Sequence, residues 1–190
     1  MTPNDIMRDV RLARLRELEK ETAALKAELA RERAARESLA SHFSLALAAA
    51  RDAERMPSGA RLEIVDGWNV VIGTRRLSAQ ARRARRSRLV AAMRERVEAD
   101  SGLYAWIVFD GPATDAVSEA DGRLRVGYTG GEGANRADRM VCDYLRMMKV
   151  VGLHFPVTVV TDDVDFTKKT AALGAAVKGT DALNAKTAAN

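Results

Sequence analysis

Three aspartates each follow a short apolar segment of the kind that forms a buried strand. They are Asp66, Asp110 and Asp163. The carboxyl ends of parallel strands meet at one edge of a sheet, and ligands of such sheets bind beyond that edge. Clustered carboxylates repel one another unless a cation neutralises them, and carboxylate oxygens suit Mg²⁺ or Mn²⁺. These residue types therefore predict a divalent metal site.

Two more acids belong to the same hypothesis. Asp138 lies near the start of a predicted helix and is expected to reach the same crevice, and Asp162 stands beside Asp163 as an additional candidate ligand. The alternative role for an aspartate after a strand is to cap the next helix, which is the more common role of a single such residue. Three strand-end aspartates together with Asp138 favour the metal site.

The elements that must position these aspartates alternate along the chain. Strands are predicted at residues 62–66, 104–110, 124–128, 156–161 and 175–178, and helices at 78–100, 135–151 and 166–173. Strands that alternate with helices indicate an α/β fold with a mainly parallel sheet covered on both faces.

Arginine is concentrated in one segment of the chain. Residues 75–96 hold nine arginines and a single acid, whereas the whole chain has a net charge of only +5. This density indicates a polyanionic partner, nucleic acid first, and a solvated helix face is the alternative. The predicted helix follows the Asp66 loop, so its first turns are expected near the carboxylates. The arginines expected to hold a nucleic-acid backbone are Arg75, Arg76, Arg82, Arg83, Arg85 and Arg86.

The first 55 residues differ in character from the rest. Residues 6–55 contain no proline or glycine and consist mainly of helix-forming residues. An apolar stripe with coiled-coil spacing weakens at Glu32 and Arg36; its members are Leu15, Leu18, Thr22, Leu25, Leu29, Leu39, Phe43 and Ala46. A long helix of this kind needs a partner. A parallel homodimer through residues 6–55 is predicted, and packing onto the globular domain is the alternative.

Composition limits the remaining possibilities. Pro57, Ser58 and Gly59 break the helical pattern, which divides the chain into a coiled-coil arm at 1–56, a globular domain at 57–180 and a C-terminal tail at 181–190. No apolar run is long enough for a membrane span, and the N-terminus lacks the apolar core of a signal peptide. The single cysteine, Cys142, excludes an intramolecular disulfide, so a reducing, cytoplasmic compartment is expected.

Five segments, in order, resemble the NYN domains of the PIN-like nuclease superfamily, especially their YacP-like branch. Asp66-Gly-Trp-Asn69 is similar to the Asp-Gly-Tyr-Asn signature, and Phe109-Asp-Gly111 to the second strand-end aspartate. The other three resemble its Gly-Glu-x-Ala-Asp, Thr-Ser-Asp and Gly-Ala segments; they are residues 131–138, 161–163 and 174–175. The resemblance covers about residues 60–180. Trp68 replaces the tyrosine, Asp162 replaces the serine, and two additional residues separate Glu132 from the Ala-Asp pair.

This resemblance implies a PIN-like three-layer α/β sandwich and a metal-dependent ribonuclease, expected to be endonucleolytic. It assigns Asp66, Asp110, Asp138 and Asp163 as catalytic metal ligands, and Asn69 as a residue that orients Asp66 or contacts a phosphate. RNA is the expected substrate rather than DNA, and the ribosome is a further candidate partner.

Other functions stay open at this point. The domain could bind RNA or a ribosomal surface without hydrolytic activity, dimerised by the coiled coil, or act as an adaptor whose working part is the arm. A phosphatase of the haloacid-dehalogenase type needs a second aspartate two residues after Asp110, and this chain has Pro112 there.

Overall fold

The predicted alternation of strands and helices is observed. The computed structural model describes residues 3–73, 77–111, 117–119, 122–130 and 135–184. The strands are β1 (Arg61–Asp66), β2 (Leu103–Phe109), β3 (Val117–Glu119), β4 (Leu124–Tyr128), β5 (Val157–Val160) and β6 (Ala176–Lys178). The helices are α1 (Pro3–Arg55), α2 (Gly67–Ile72), α3 (Ala79–Ala99), α4 (Arg136–Val150), α5 (Val164–Ala172) and α6 (Asp181–Asn184).

The six strands form one sheet in the order β3-β4-β2-β1-β5-β6. Five are parallel, and β3 pairs antiparallel with β4 at the edge. The chain moves outward from β1 to β2 and then β4, and afterwards returns to the other side of β1 with β5 and β6. Because the direction reverses beside β1, the loops after β1 and β5 diverge and leave a crevice at the carboxyl end of the sheet.

Apolar side chains cover both faces of the sheet. On one face Ile64 and Val108 pack with α4, with Phe166 of α5 and with Ala49. On the other face Val65 and Ile107 pack with α2, α3 and α6; their partners include Val71, Met93, Val97 and Leu183. Alternate residues of β1 and β2 point to opposite faces, as a pleated strand requires. The predicted three-layer α/β sandwich with a mainly parallel sheet is confirmed.

Three elements were not predicted: α2, β3, and α6, which lies in the segment predicted to be a C-terminal tail and places Leu183 in the core. Helix α2 occupies residues that were expected to form a loop. The segment Gly-Trp-Asn-Val-Val-Ile contains β-branched residues that favour strands, so the helix depends on an N-cap and on burial of Val71. The arginine-rich helix α3 therefore does not follow Asp66 directly, since α2 intervenes. Strand β3 is only three residues long and has no periodicity that a sequence could reveal.

Helix α1 belongs to two compact units. The first unit is Met1–Ser44 and the second is Leu45–Asn190. Within the first unit the leucines of the predicted seam are solvent-exposed in the single chain, among them Leu15, Leu18, Leu25 and Leu29. The predicted homodimer stays a prediction. None of the helices in the described part of the chain is long and apolar enough to cross a membrane.

The last turns of α1 are part of the globular unit rather than of the arm. Ala49 is fully buried in the core. Asp52 accepts hydrogen bonds from Arg125 (2.7 Å) and from the Tyr144 hydroxyl (2.7 Å), and burial together with this carboxylate raises the Tyr144 pKa. The Tyr104 hydroxyl donates to the Arg55 carbonyl (2.8 Å). The unit boundary thus lies before Leu45, whereas the sequence placed it near Pro57.

We expect a chain that starts at residue 57 to be less stable than one that starts at residue 45. Removing residues 45–56 deprives Arg125 and Tyr144 of their partner and uncovers the surface under Ala49, at a cost of about 3 kcal/mol. Urea denaturation of the two shortened chains and the full chain measures the difference. Equal midpoints for all three chains would show that these turns add nothing to the globular unit.

Candidate active site

Asp66 ends β1 and caps α2. One carboxylate oxygen, Oδ1, accepts from the Asn69 backbone N–H (3.2 Å), and the other, Oδ2, accepts from the Thr161 hydroxyl (3.2 Å). The next residue must be glycine, because a Cβ on Gly67 would lie 2.4 Å from the Phe109 ring. The two hydrogen bonds therefore fix the Asp66 carboxylate, and Gly67 lets the chain turn tightly into α2.

Asp110 follows β2 and caps a helix that is distant in sequence. Its Oδ1 accepts from the Ala137 backbone N–H (2.6 Å) at the start of α4, and also from the Thr129 hydroxyl (3.3 Å). Asn135, the N-cap residue of α4, has a left-handed backbone (φ 60°) and no capping bond from its own side chain. Asp110 supplies the missing acceptor, which brings it beside Asp138 in the first turn of α4.

Asp163 follows β5 and caps α5. Its Oδ1 accepts from the Phe166 backbone N–H (2.8 Å). The buried Thr161 hydroxyl accepts from the Asp163 backbone N–H (3.1 Å) while it donates to Asp66. This one hydroxyl therefore links the ends of β1 and β5 across the crevice. The sequence placed Thr161 in the Thr-Asp-Asp motif but did not indicate this linking role.

The four aspartates interact electrostatically. Burial, followed by the charges of Asp138 and Asp110, raises the pKa of Asp66 to about 6, although bonds from Asn69 and Thr161 oppose the shift. The pKa of Asp138 is also raised, first by burial and then by Asp163, while Lys169 on α5 lowers it. The structure thus brings Asp66, Asp110, Asp138 and Asp163 to one sheet edge, and Lys169 is a neighbour that the sequence did not reveal.

The carboxylates line the crevice without forming a ready-made metal site. In the described residues, no group of three or more His, Cys, Asp or Glu side chains is arranged so that it could hold a metal ion. Each strand-end aspartate has one oxygen in a helix cap, so the capping alternative is realised at all three. The structure gives no hydrogen bond within the described residues to the second oxygen of Asp110 or Asp163, and these oxygens provide the hard donors that a divalent ion prefers.

Two predicted site residues have different roles from those expected. Asp162 is turned away from the other acids: its carboxylate accepts from the Thr180 backbone N–H (2.8 Å) and from the Thr180 hydroxyl. Asn69 contacts Asp66 through its backbone, whereas its side-chain oxygen accepts from the Asp162 backbone N–H (2.9 Å). The Asn69 side chain therefore fastens α2 to the β5 loop instead of orienting Asp66.

The first turns of α3 lie beside this crevice. Arg82, Arg83 and Arg86 line a cavity of about 260 Å³, of which Asp110 forms another wall. Arg86 donates to the Tyr128 hydroxyl, and Arg85 donates to the Val71 carbonyl (3.3 Å). Arg75 and Arg76 lie outside the described residues, as do residues 131–134, which include Glu132.

Trp68 belongs to the wall of the site rather than to an open stacking platform. Its indole N–H donates to the Asp110 carbonyl (2.6 Å), and its ring meets the Phe109 ring edge-on at 5.0 Å. The tyrosine-to-tryptophan departure from the resembled signature is therefore accommodated by packing, and the indole connects the β1 and β2 ends.

Comparisons with known proteins identify the family of the chain. The sequence profile of the YacP-like NYN domain matches residues 63–189. The chain belongs to this family. It is similar to the crystal structure of a mutant of Rae1 (YacP) from Bacillus subtilis, at 19% identity and a TM-score of 0.50, covering 66% of this chain and 74% of that one. A second Rae1 (YacP) structure from Bacillus subtilis has 19% identity and a TM-score of 0.49, with coverages of 66% and 72%. No curated protein matches the chain.

The family match begins at Glu63 and therefore contains the whole carboxylate crevice of this YacP-like NYN domain. It excludes residues 45–56, which the globular unit nevertheless requires for its core. Thr161, Thr129 and Lys169 complete the surroundings of the acids. Thr129 and Lys169 gave no signal in the sequence, because their proximity to the aspartates arises only from the packing of β4 and α5.

Asp66→Asn should stabilise this NYN domain at neutral pH when chelator is present. A carboxyl group whose pKa rises on folding contributes stability below its unfolded value, 3.8, and this contribution is lost as the pH rises to about 6. Asparagine caps a helix as well as aspartate does and carries no charge. We expect a gain on the order of 2 kcal/mol at pH 7.5 and no gain near pH 3.5, measured by chemical denaturation. A gain independent of pH would contradict the raised pKa.

Proposed function

We propose that this YacP-like NYN domain is a metal-dependent ribonuclease that cleaves RNA internally. The family is one of PIN-like nucleases, which supports a nuclease or RNA-related role. The observation that carries the finer proposal is the crowding of four carboxylates at the crevice beside β1, where burial and mutual repulsion raise the pKa values of Asp66 and Asp138. A divalent cation is the natural counterion for such a cluster.

The proposed catalytic residues are Asp66, Asp110, Asp138 and Asp163. Asp110 and Asp163 present their uncapped oxygens, and Asp138 extends from the first turn of α4. Together they would hold one or two Mg²⁺ or Mn²⁺ ions. Bound there, the ion supplies a water of lowered pKa and neutralises charge on the phosphate. The capping bonds restrain Asp66, Asp110 and Asp163, and Thr161 holds Asp66 in register with the β5 loop.

Asp163→Asn and Asp162→Asn form a matched pair that tests the proposal. Asparagine at 163 keeps the cap but removes a ligand charge, so we expect cleavage of a single-stranded RNA in Mg²⁺ or Mn²⁺ to fall at least about 100-fold. Asp162 faces Thr180, so its variant should stay within about twofold of the wild type. Chelator should abolish the wild-type activity. Equal rates for both variants would remove Asp163 from the site and with it the assignment.

The arginines of α3 are proposed to hold the RNA backbone. Arg82 and Arg83 are exposed, and the described residues place no carboxylate against either of them. They share a cavity with Asp110, so a phosphate bound by them lies next to that carboxylate. Arg86 donates one hydrogen bond to Tyr128 and is proposed to contact the same RNA backbone. Arg85, Arg75 and Arg76 are proposed to extend this contact along the strand.

Replacing Arg82 and Arg83 together by glutamine should weaken RNA binding and flatten its salt dependence. The slope of log affinity against log salt should become smaller by about 1.4, because two phosphate contacts of a single strand are lost. Fluorescence anisotropy of a labelled single-stranded RNA, measured in chelator at several salt concentrations, gives the slope. Arg139→Gln on α4, also an exposed arginine, is the control. An unchanged slope would place the RNA elsewhere.

A second candidate function has its own supporting observation. Every strand-end aspartate caps a helix, and the described residues contain no ready-made group of three metal-ligating side chains. This arrangement favours an RNA- or ribosome-binding module without hydrolytic activity. RNA binding that chelator leaves unchanged, with no product formed by the wild-type protein in Mg²⁺ or Mn²⁺, would establish the module and exclude the nuclease.

The arm is proposed to join two copies of the chain in parallel through residues 6–55. The exposed leucines of the first unit support this pairing, because a stripe of that length is costly in water. Sedimentation equilibrium should give a dimer for the full chain and a monomer for residues 45–190. Identical masses for the two would exclude the arm as the dimer contact.

A further inference from the structure

A second cavity lies on the other side of α2 from the arginine-lined cavity of Asp110. Its volume is about 810 Å³, and it is enclosed by α2, the middle of α3 and the segment that follows β6. Asn69 forms part of its rim, three residues after Asp66, so the cavity opens next to the carboxylate crevice. None of the four aspartates proposed to hold a metal ion lines it.

The cavity has a cationic side. Arg88 is exposed at its wall, and no carboxylate is placed against it within the part of the chain that the structure describes. Arg85 gives one N–H to the Val71 carbonyl, which leaves its charge without a counterion there. Arg96 also lines the cavity, but Glu63 neutralises it through two bonds of 2.7 and 3.0 Å. The uncompensated positive charge therefore lies on Arg85 and Arg88. Asp162 also lines the cavity, and its carboxylate is bonded to Thr180.

The remaining walls suit a flat apolar group with polar edges. Val70, Ile72 and Ala92 are half-buried and provide apolar surface above the buried side chains of Leu89 and Met93. The side-chain oxygen of Asn69 accepts from Asp162, so the amide N–H groups are the free face of that side chain, and no acceptor for them occurs among the described residues. These groups complement the parts of a nucleotide. The two arginines suit the phosphate, the amide donor suits the edge of the base, and the apolar wall suits its face.

We infer that this cavity binds one nucleotide of the RNA strand next to the phosphodiester that is cleaved. Its phosphate contacts Arg85 and Arg88, its base packs on Ile72 and Ala92, and the Asn69 amide meets a base or sugar acceptor. The inference rests on the proposed nuclease function for the identity of the strand. It adds that the strand passes on both sides of α2, with Arg82 and Arg83 on one side and Arg85 and Arg88 on the other.

The experiment uses the full chain in chelator, with adenosine 5′-monophosphate as the probe and adenosine and inorganic phosphate as its two parts. Calorimetry gives the affinity, and amide chemical shifts give the location. The monophosphate should bind more tightly than either part and should shift residues 70–73 and 89–93. Arg88→Gln should weaken the monophosphate about tenfold, by loss of one charge-assisted contact, and leave adenosine unchanged. Ala92→Phe, which places a ring at the cavity wall, should weaken both ligands.

The matched control is Arg139→Gln on the opposite face of the sheet, which should bind the monophosphate as the wild type does. Shifts that map to Arg82 and Arg83 instead, phosphate binding as tightly as the monophosphate, or no binding at millimolar concentration would each overturn the inference. Asp163→Asn should retain the binding, since the probe does not need the carboxylates. Binding in the cavity by a wild-type protein that cleaves no RNA would refute the nuclease alone, whereas cleavage without binding would refute the cavity alone.

Discussion

Helix N-termini need acceptors, and in this domain strand-end carboxylates supply them. Backbone N–H groups in the first turn of a helix have no partner within the helix. Asp66 satisfies such a group in α2, Asp163 does so in α5, and Asp110 does so in α4, whose own N-cap residue makes no side-chain bond. The parallel strands direct all three helices to start at one edge of the sheet. The same bonds that begin the helices therefore gather the acids.

This arrangement explains why capping and chemistry do not exclude each other. A cap uses one oxygen of a carboxylate, and the second oxygen of Asp110 and of Asp163 has no hydrogen bond within the described residues. Helix N-termini lower the cost of holding negative charge, yet burial and mutual repulsion still raise the pKa of Asp66 to about 6. The crevice thus holds more negative charge than its surroundings neutralise. That excess is the physical basis for proposing a cation there.

Cross-strand bonds keep the two sides of the crevice in register. The reversal of strand order beside β1 separates the β1 and β5 loops, which would otherwise be free to splay apart. Thr161 joins Asp66 to the Asp163 backbone, and the Asn69 side chain joins α2 to the Asp162 backbone. Asp162 in turn holds the segment after β6 through Thr180. Asp162, which the sequence suggested as a metal ligand, thus helps to hold the loop after β5 in place.

Local patterns determined the element types and much of the site. Apolar runs ending in acids identified the strands that carry Asp66 and Asp110, and the period of the helices was readable because each buries one stripe. The positions of these acids along parallel strands were sufficient to predict that they meet. Composition also indicated the arginine-rich helix and the long first helix.

Only the tertiary structure decided the rest. Helix α2 forms in a strand-like sequence because Asp66 caps it and the core covers Val71. Residues 45–55 join the globular unit because Arg125 and Tyr144 reach Asp52 across more than 70 positions. The orientations of Asp162 and Asn69, and the placement of Lys169 beside Asp138, depend on which loops pack together. Such contacts link residues far apart in the chain, so no local pattern encodes them.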